Sequence, residues 1–288
     1  MRNYLPTCGL LLLLVAGIGC ENKALDPAWK ITGPRIIALQ ADQPVFSPGD
    51  TVTFSMLLAG VNMAERDDVS VIWRLGNEVR ELPVDRVARY VIPVEDAAAD
   101  VDIFGTTVWT AYKTVGHAVV DLQATVRMGD GTTLPARKSF LLAKKSVALQ
   151  YDAPQIDRIL VAVPGHSGLS VPAGETVRLP AGASDAISIE ASLADGTMPS
   201  GYRWYLESTL PDGDAEILSG ATDRVMKMRM PQLGAVIVYL VVEDRSEEVG
   251  SGPFSGGIDA VSFFVSYGTS DADDRDVLPT DSDLLLTD

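Results

Sequence analysis

The amino-acid sequence predicts an all-β protein whose body consists of two similar units. Stretches rich in β-branched and aromatic residues alternate apolar with polar side chains, and turn residues separate them at short intervals. A strand, a Pro/Gly turn with an acidic residue and a second strand occur around Gly49 and again around Gly174. The two glycines are 174 − 49 = 125 positions apart, which is the length of an ordinary domain.

The strands of the two units are expected in a similar order. The first unit has predicted strands at residues 34–39, 51–54, 69–75, 107–112, 118–126 and 139–142. The second unit has predicted strands at residues 154–160, 202–206, 224–230, 236–242 and 260–267, with a further one starting at 177. In the first unit, Gly116 is expected to join two strands, and Asp130-Gly131 is a strong hairpin signal.

One segment of the first unit, residues 83–104, does not follow the strand pattern. Its centre combines Pro93 with a run of alanine and acidic residues, so either a long loop or a short helix is compatible with it. In the second unit, the Gly/Ser-rich residues 244–259 are expected to form a long loop that joins two strands.

Both units resemble immunoglobulin-like β-sandwiches, and in particular the PKD and bacterial Ig-like modules of surface proteins. The resemblance rests on the Pro/Gly/acidic turn, on the single mid-unit tryptophan (Trp73 or Trp204) and on the late strand pair. It implies two tandem Ig-like sandwich domains, at residues 34–148 and 149–267. Trp73 and Trp204 are then expected to fill the core between the two sheets of each sandwich.

The amino terminus has the pattern of a secretory signal. Arg2 precedes the apolar residues 10–18, and this run is too short to cross a membrane. Its end, Gly17-Ile18-Gly19-Cys20, resembles the lipobox of bacterial lipoproteins. The resemblance implies a signal peptide at residues 1–19, cleavage before Cys20 and lipidation of the Cys20 thiol.

The residues after Cys20 are expected to link the lipid to the body. Residues 21–33 begin with the polar Glu21-Asn22-Lys23 and contain Pro27 and Gly33, as a spacer would, and Trp29 is expected to pack on the first unit or to lie at the membrane interface. By analogy with bacterial lipoproteins, Glu21 favours sorting to the outer membrane of a Gram-negative cell. The chain is then held in the cell envelope by its lipid.

The charge and the cysteine count exclude several classes of function. The formal net charge is −16, and such a chain repels nucleic acid. The only cysteines are Cys8 and Cys20, so the body has no thiol for a disulfide or a metal site. Residues 268–288 contain seven aspartates and one arginine, and this composition predicts a disordered acidic tail.

The sequence predicts no catalytic residue and no cofactor-binding residue. After residue 20 the only histidines are His117 and His166, and no nucleophile elbow, zinc-helix or phosphate-loop motif is present. We therefore expect no enzyme activity but a non-catalytic binding, adhesion or scaffold module. Its partner is expected to be an envelope protein or a surface polymer. The alternative is a calcium-dependent ligand-binding protein or a carboxylate-based hydrolase of the envelope.

Calcium is the cofactor that the acidic turns would suit, because it prefers carboxylate and carbonyl oxygens. The candidate ligands are Asp212, Asp214 and Glu216, with a second acidic cluster at residues 271–276. Neither cluster has the spacing of a twelve-residue calcium loop.

Candidate partner contacts lie in the late loop and in the tail. Phe254 is an aromatic residue in the Gly/Ser-rich loop, and Leu284, Leu285 and Leu286 form an apolar triplet in the acidic tail. Such residues fit a partner groove better than the surrounding polar chain does.

Overall fold

The computed structural model describes residues 27–61, 68–94, 103–148, 153–181, 183, 185–194, 199, 201–210, 213–232, 234–244 and 257–268. Within these ranges the chain forms four β-sheets and two short helices. No helix among the described residues is long and apolar enough to span a membrane. The fold is therefore all-β, as the sequence predicts.

The first sandwich packs a three-stranded sheet on a five-stranded sheet, in the orders β1-β3-β6 and β2-β8-β7-β4-β5. Its elements are β1 (Arg35–Ala41), β2 (Val45–Phe46), β3 (Thr51–Ala59), β4 (Ser70–Leu75), β5 (Glu78–Pro83), β6 (Ala88–Val91), α1 (Gly105–Val115), β7 (His117–Arg127) and β8 (Thr133–Ala143). A short helix, α2 (Lys145–Ala148), follows.

The second sandwich packs sheets of five and four strands, in the orders β10-β9-β12-β15-β14 and β11-β17-β16-β13. Its strands are β9 (Ile156–Ala162), β10 (Leu169–Pro172), β11 (Val177–Leu179), β12 (Ala186–Leu193), β13 (Gly201–Ser208), β14 (Glu216–Ser219), β15 (Val225–Arg229), β16 (Ala235–Glu243) and β17 (Ile258–Tyr267). Alternate residues of these strands face the interior, which gives each sandwich its own apolar core.

The strand orders confirm the immunoglobulin-like architecture. In the second sandwich, β9, β12, β15 and β14 lie in the order of the A, B, E and D strands, while β17, β16 and β13 lie in that of G, F and C. In both sandwiches a short early strand crosses to the opposite sheet and pairs in parallel with the last strand, β2 with β8 and β11 with β17.

The two mid-unit tryptophans occupy equivalent places in the two sandwiches, as predicted. Trp73 lies in β4 and Trp204 in β13, the C-type strand of each sandwich, and each side chain is 1% exposed. The Trp204 Nε1–H donates to the Asp223 carbonyl at 2.7 Å. Both indoles are therefore core residues and not ligand platforms.

The prediction of a strand at residues 107–112 is wrong, because this segment lies in helix α1. Trp109 and Tyr112 are three positions apart, so a helix turns both rings to the core, where they pack edge to face at 5.7 Å. Gly116 (φ +83°) ends the helix, and its N–H donates to the Tyr112 carbonyl. The glycine is thus a helix cap and not a hairpin turn.

The strand equivalent to β15 lies earlier in the first sandwich, inside the segment that fitted no pattern. Residues 88–91 form β6, which pairs with β3 and places the buried Tyr90 opposite Val52. The loop or helix expected around Pro93 begins after this strand, and residues 92–94 are in neither a helix nor a strand. Residues 95–102 lie outside the described residues.

The two Pro/Gly turns share a conformation but not a position in the fold. Gly49 and Gly174 have φ values of +88° and +87°, which favour glycine. The turn at Gly49 leads into β3, a central strand, whereas the turn at Gly174 leads into β11, an edge strand. The 125-residue spacing therefore does not relate equivalent strands, because a turn signature reports local backbone geometry alone.

The hairpin predicted at Asp130-Gly131 is confirmed. It joins β7 to β8 with Gly131 at φ +87°, and the Asp130 carboxylate accepts from the Thr132 N–H at 2.8 Å. The residues at the turn are those that a tight connection between antiparallel strands requires.

Candidate functional site

Several of the predicted site residues lie outside the described part of the chain. These are Cys20, Asp212, Phe254, Leu284, Leu285 and Leu286. Lipidation at Cys20 and the partner contacts therefore stay predictions.

Two of the three proposed calcium ligands are described. Asp214 and Glu216 are exposed, and Glu216 Oε2 accepts from Arg229 Nη1 at 2.9 Å. The described residues hold no group of three or more histidine, cysteine, aspartate or glutamate side chains that could bind a metal. Since Asp212 is not described, the calcium site stays a prediction, which a melting temperature measured with calcium and with chelator tests directly.

The two histidines lie in different sandwiches. His117 is the first residue of β7, and His166 is exposed in the turn between β9 and β10.

An apolar contact joins the two sandwiches, and we call it the seam. The outer face of β13, β16 and β17 is covered by β1 and β3 of the first sandwich. One continuous cluster of buried side chains results, formed by Ile31, Ile37, Ala38, Ala59, Tyr205, Tyr239 and Val241. The seam removes from water a sheet face that a free sandwich would expose.

Polar groups close one end of the seam. The Gln40 side-chain amide donates to Asp259 Oδ1 at 3.2 Å and to the Ala260 carbonyl at 3.1 Å. Asp259 Oδ2 accepts from the Ile156 N–H at 2.6 Å, so one carboxylate joins β1 to the start of β9. Burial raises the pKa of Asp259, and the backbone N–H groups of Ile156 and Ala260 oppose that shift.

Polar groups also close the other end. Glu207 Oε2 accepts from the Gly60 N–H at 3.0 Å and from the Tyr239 hydroxyl. The Arg35 guanidinium lies 5.2 Å from the centre of the Tyr205 ring. The Gly60–Glu207 and Arg35–Tyr205 contacts cross the seam, and the Tyr239 hydroxyl holds Glu207 in place within the second sandwich.

Residues 27–33, which we call the tether, run along the edge of β13 in the second sandwich. The Ile31 N–H donates to the Leu206 carbonyl at 2.8 Å, and the Leu206 N–H donates to the Trp29 carbonyl at 2.9 Å. Trp29 packs against the core of the second sandwich and not of the first. The expected placement of Trp29 on the first unit is therefore wrong, since β13 offers a free strand edge that a short extended segment can satisfy.

Lys138 is an ionisable residue at the seam that the sequence analysis did not single out. It occupies an inward-facing position of β8, is 8% exposed, and its Nζ lies 3.4 Å from the Leu39 carbonyl oxygen. Burial lowers the pKa of Lys138 to about 7; Glu243 opposes this shift and Arg203 adds to it. The alternation of residues 134–142 already places Lys138 on the apolar face of its strand.

The seam thus holds two sandwiches in one orientation, and its polar groups serve that contact. Two carboxylates accept hydrogen bonds across it: Asp259 from the Gln40 amide and Glu207 from the Gly60 N–H. This arrangement fixes the position of β1 relative to the β13–β16–β17 face.

No protein-family model matches the chain, and no curated protein matches it. Among solved structures, the three N-terminal domains of the Highly Immunogenic Outer Capsid protein (Hoc) of bacteriophage RB49 match with a TM-score of 0.24 and 12% identity, over 82% of this chain and 59% of that one. Extracellular domains 3–5 of Drosophila OTK match with a TM-score of 0.22 and 10% identity, over 82% of this chain and 66% of that one.

The human mucin-like protocadherin EC1-2 matches with a TM-score of 0.22 and 10% identity, over 80% of this chain and 98% of that one. The chain spans less than two thirds of the length of the phage and Drosophila structures. Likenesses at these TM-scores carry no argument about function, so the architecture rests on the strand order of the chain itself.

Proposed function

We propose that this chain is a lipid-anchored, non-catalytic module of the cell envelope, in which two Ig-like sandwiches joined at the seam act as one rigid body. The body holds binding surfaces at a fixed position relative to the membrane. The observation that supports the proposal is the seam, which continues the burial of apolar side chains from one sandwich to the other.

The apolar seam favours a fixed orientation of the two sandwiches. Neighbouring domains of one chain move relative to each other unless the interface between them is large and hydrophobic. Here separation would expose Tyr205, Tyr239 and Val241 to water and would break the Gln40–Asp259 contact. Such a body suits a scaffold or adhesion module better than a flexible linker of surface domains.

The proposed attachment to the membrane rests on the resemblance of residues 17–20, which end in Cys20, to the lipobox of lipoproteins. We place the mature chain in the outer membrane of a Gram-negative envelope, with an envelope protein or a surface polymer as its partner. Phe254 in the late loop and Leu284–Leu286 in the tail are the proposed contact residues.

The anchor is tested by comparing the native chain with Cys20→Ser. The native chain should fractionate with membranes, and the mass of its amino-terminal peptide should include a diacylglyceryl group. The Cys20→Ser chain should lose both properties. A native chain that is soluble and carries no lipid would refute the anchor.

The binding role is tested by crosslinking and capture from native envelopes, using the full chain and a chain truncated after Tyr267. A specific partner should be captured by the full chain. Capture that is lost on truncation assigns the contact to residues 268–288, and capture that persists assigns it to the loops and sheet edges. No specific partner with either chain contradicts the proposed binding function.

A further inference from the structure

We propose that the second sandwich, and not the first, lies next to the membrane, because the tether joins β13 before the chain enters β1. Order along the chain alone would put the first sandwich nearest to the lipid. The inference rests on the proposed function in one respect, the attachment of the chain to the membrane through Cys20.

The first step is the length of chain between the lipid and the body. Seven residue steps separate Cys20 from Pro27, the first described residue. A chain rises at most about 3.6 Å per residue, so Pro27 lies within about 25 Å of the anchored cysteine whatever path the chain takes. If the tether were free as far as Pro34, the limit would be about 50 Å.

The second step is that the tether is built into the second sandwich. Ile31 is 6% exposed and belongs to the seam, and Trp29 packs on the second core. Arg35 Nη1 of β1 donates to the Ala28 carbonyl at 3.1 Å, so the start of the tether also has one side-chain contact with the first sandwich, whereas its backbone hydrogen bonds go to β13. The contacts of Trp29 and Ile31 with β13 are therefore those of a paired edge strand and not of a loose linker.

The third step identifies the surface that is carried to the membrane. The N–H groups of Trp204 and Leu206 point to the same edge of β13, where the first donates to the Ala221 carbonyl and the second to the Trp29 carbonyl. The turn around Ala221 therefore lies beside the entry of the tether. Thr222 and Asp223 in this turn are exposed.

The chemistry of this turn suits one layer of the membrane. Thr222, Asp223 and Arg224 are polar and exposed, so the surface fits the hydrated headgroup region and not the hydrocarbon. Arg224 is paired with Glu190 at 3.0 Å, so it does not leave a net basic patch for anionic lipid. The surface is brought to the headgroups by the short tether and not by charge.

The experiment uses the mature chain with Cys20 coupled to a maleimide lipid in phosphatidylcholine vesicles, so the orientation is tested whether or not cells lipidate Cys20. A fluorophore is placed through p-azidophenylalanine at Thr222 or, for comparison, at Asp130 in the first sandwich. Energy transfer to a headgroup-labelled acceptor lipid is measured. Transfer from position 222 should exceed transfer from position 130.

Releasing the tether provides the matched test. Trp29→Ser with Ile31→Pro removes the packing and one backbone donor, and transfer from position 222 should fall as the reach of the tether lengthens. Lys30→Ala, at an exposed site in the tether, should leave the transfer unchanged. Unchanged transfer in a folded released variant contradicts the inference.

The comparison within the native chain holds even if the released variant does not fold. Transfer from position 222 that is no greater than transfer from position 130 overturns the inference on its own. If the native chain in cells does not associate with membranes, the proposed anchor is refuted. The orientation measured in vesicles does not depend on that result.

Discussion

Gln40 of the first sandwich and Asp259 of the second meet across the seam, with the Gln40 amide nitrogen 3.2 Å from Asp259 Oδ1. The same carboxylate accepts from the Ile156 N–H, at the point where the chain enters β9. The first strand of each sandwich is therefore tied to the last strand of the second through a single side chain.

We predict that Gln40→Ala and Asp259→Ala destabilise the protein in a coupled manner. Each change leaves a part-buried partner without its hydrogen bond, which costs about 1–3 kcal/mol. A double-mutant cycle from urea unfolding should give a coupling energy of at least about 0.5 kcal/mol. The exposed pair Arg127–Glu81, at 3.4 Å, is the control and should show less coupling. Additive losses of unfolding free energy for the two changes would contradict a hydrogen bond between Gln40 and Asp259.

Gly60→Ala should disturb the close approach of the end of β3 to Gly33 at the end of the tether. Gly60 has φ +70°, and a Cβ at this position would lie 2.1 Å from the Gly33 carbonyl oxygen, so either the backbone of residue 33 or that of residue 60 must move. Gly131→Ala is the control, because it has a similar φ of +87° but open space around the added carbon. We expect a loss of about 1 kcal/mol for Gly131→Ala and a clearly larger loss for Gly60→Ala. Equal losses in urea unfolding would show that the close approach is absent.

The two core tryptophans should respond differently to phenylalanine. Trp204→Phe removes the donor to the Asp223 carbonyl, whereas the Trp73 Nε1–H is buried and finds no acceptor among the described residues. Both changes reduce core volume, but Trp73→Phe also removes an unpaired polar group. The loss of unfolding free energy should therefore be larger for Trp204→Phe, by about 1 kcal/mol. The reverse order would contradict the hydrogen-bond assignment.

Lys138→Met should stabilise the protein, and most strongly at low pH. Burial lowers the pKa of Lys138 from lysine's ordinary 10.5 to about 7. Between these values the unfolded chain binds one more proton than the folded chain, so the free energy of unfolding contributed by Lys138 rises with pH. Below pH 7 both states are protonated, and the full cost of the buried ammonium is present.

The measurement is urea unfolding of both chains between pH 6 and 9.5. The upper limit stays clear of Tyr90, whose pKa burial raises to about 12. The stability advantage of Lys138→Met should be greatest near pH 6 and should shrink as the pH rises. An advantage that does not depend on pH would show that the Lys138 amine is solvated in the folded chain.

The sequence predicts the architecture well because β-sandwich strands carry a local signal. The alternation around Trp73 and Trp204 and the Asp130-Gly131 hairpin each depend on a few neighbouring residues, and each prediction holds in the structure. The segment that became α1 was misassigned because residues 107–112 are β-branched and aromatic, which favours a strand by propensity alone. The packing of Trp109 and Tyr112 against the core favours a helix instead.

The seam was not predictable from the sequence, because its residues are the outward-facing members of ordinary strands. Tyr239 and Val241 read as part of one apolar strand, and nothing local distinguishes the face toward the core from the face toward β1. The pairing of Trp29 and Ile31 with β13 joins residues about 175 positions apart, and no local pattern encodes such a contact.

The most direct test of a rigid two-sandwich body is the measurement of residual dipolar couplings of the backbone N–H groups in the mature chain carrying Cys20→Ser. Couplings from β1–β8 and from β9–β17 should fit one common alignment tensor. The seam variant Tyr239→Asp should separate the two sandwiches and give two tensors. Two different tensors for the chain that keeps Tyr239 would contradict the proposal that the two sandwiches form one rigid body.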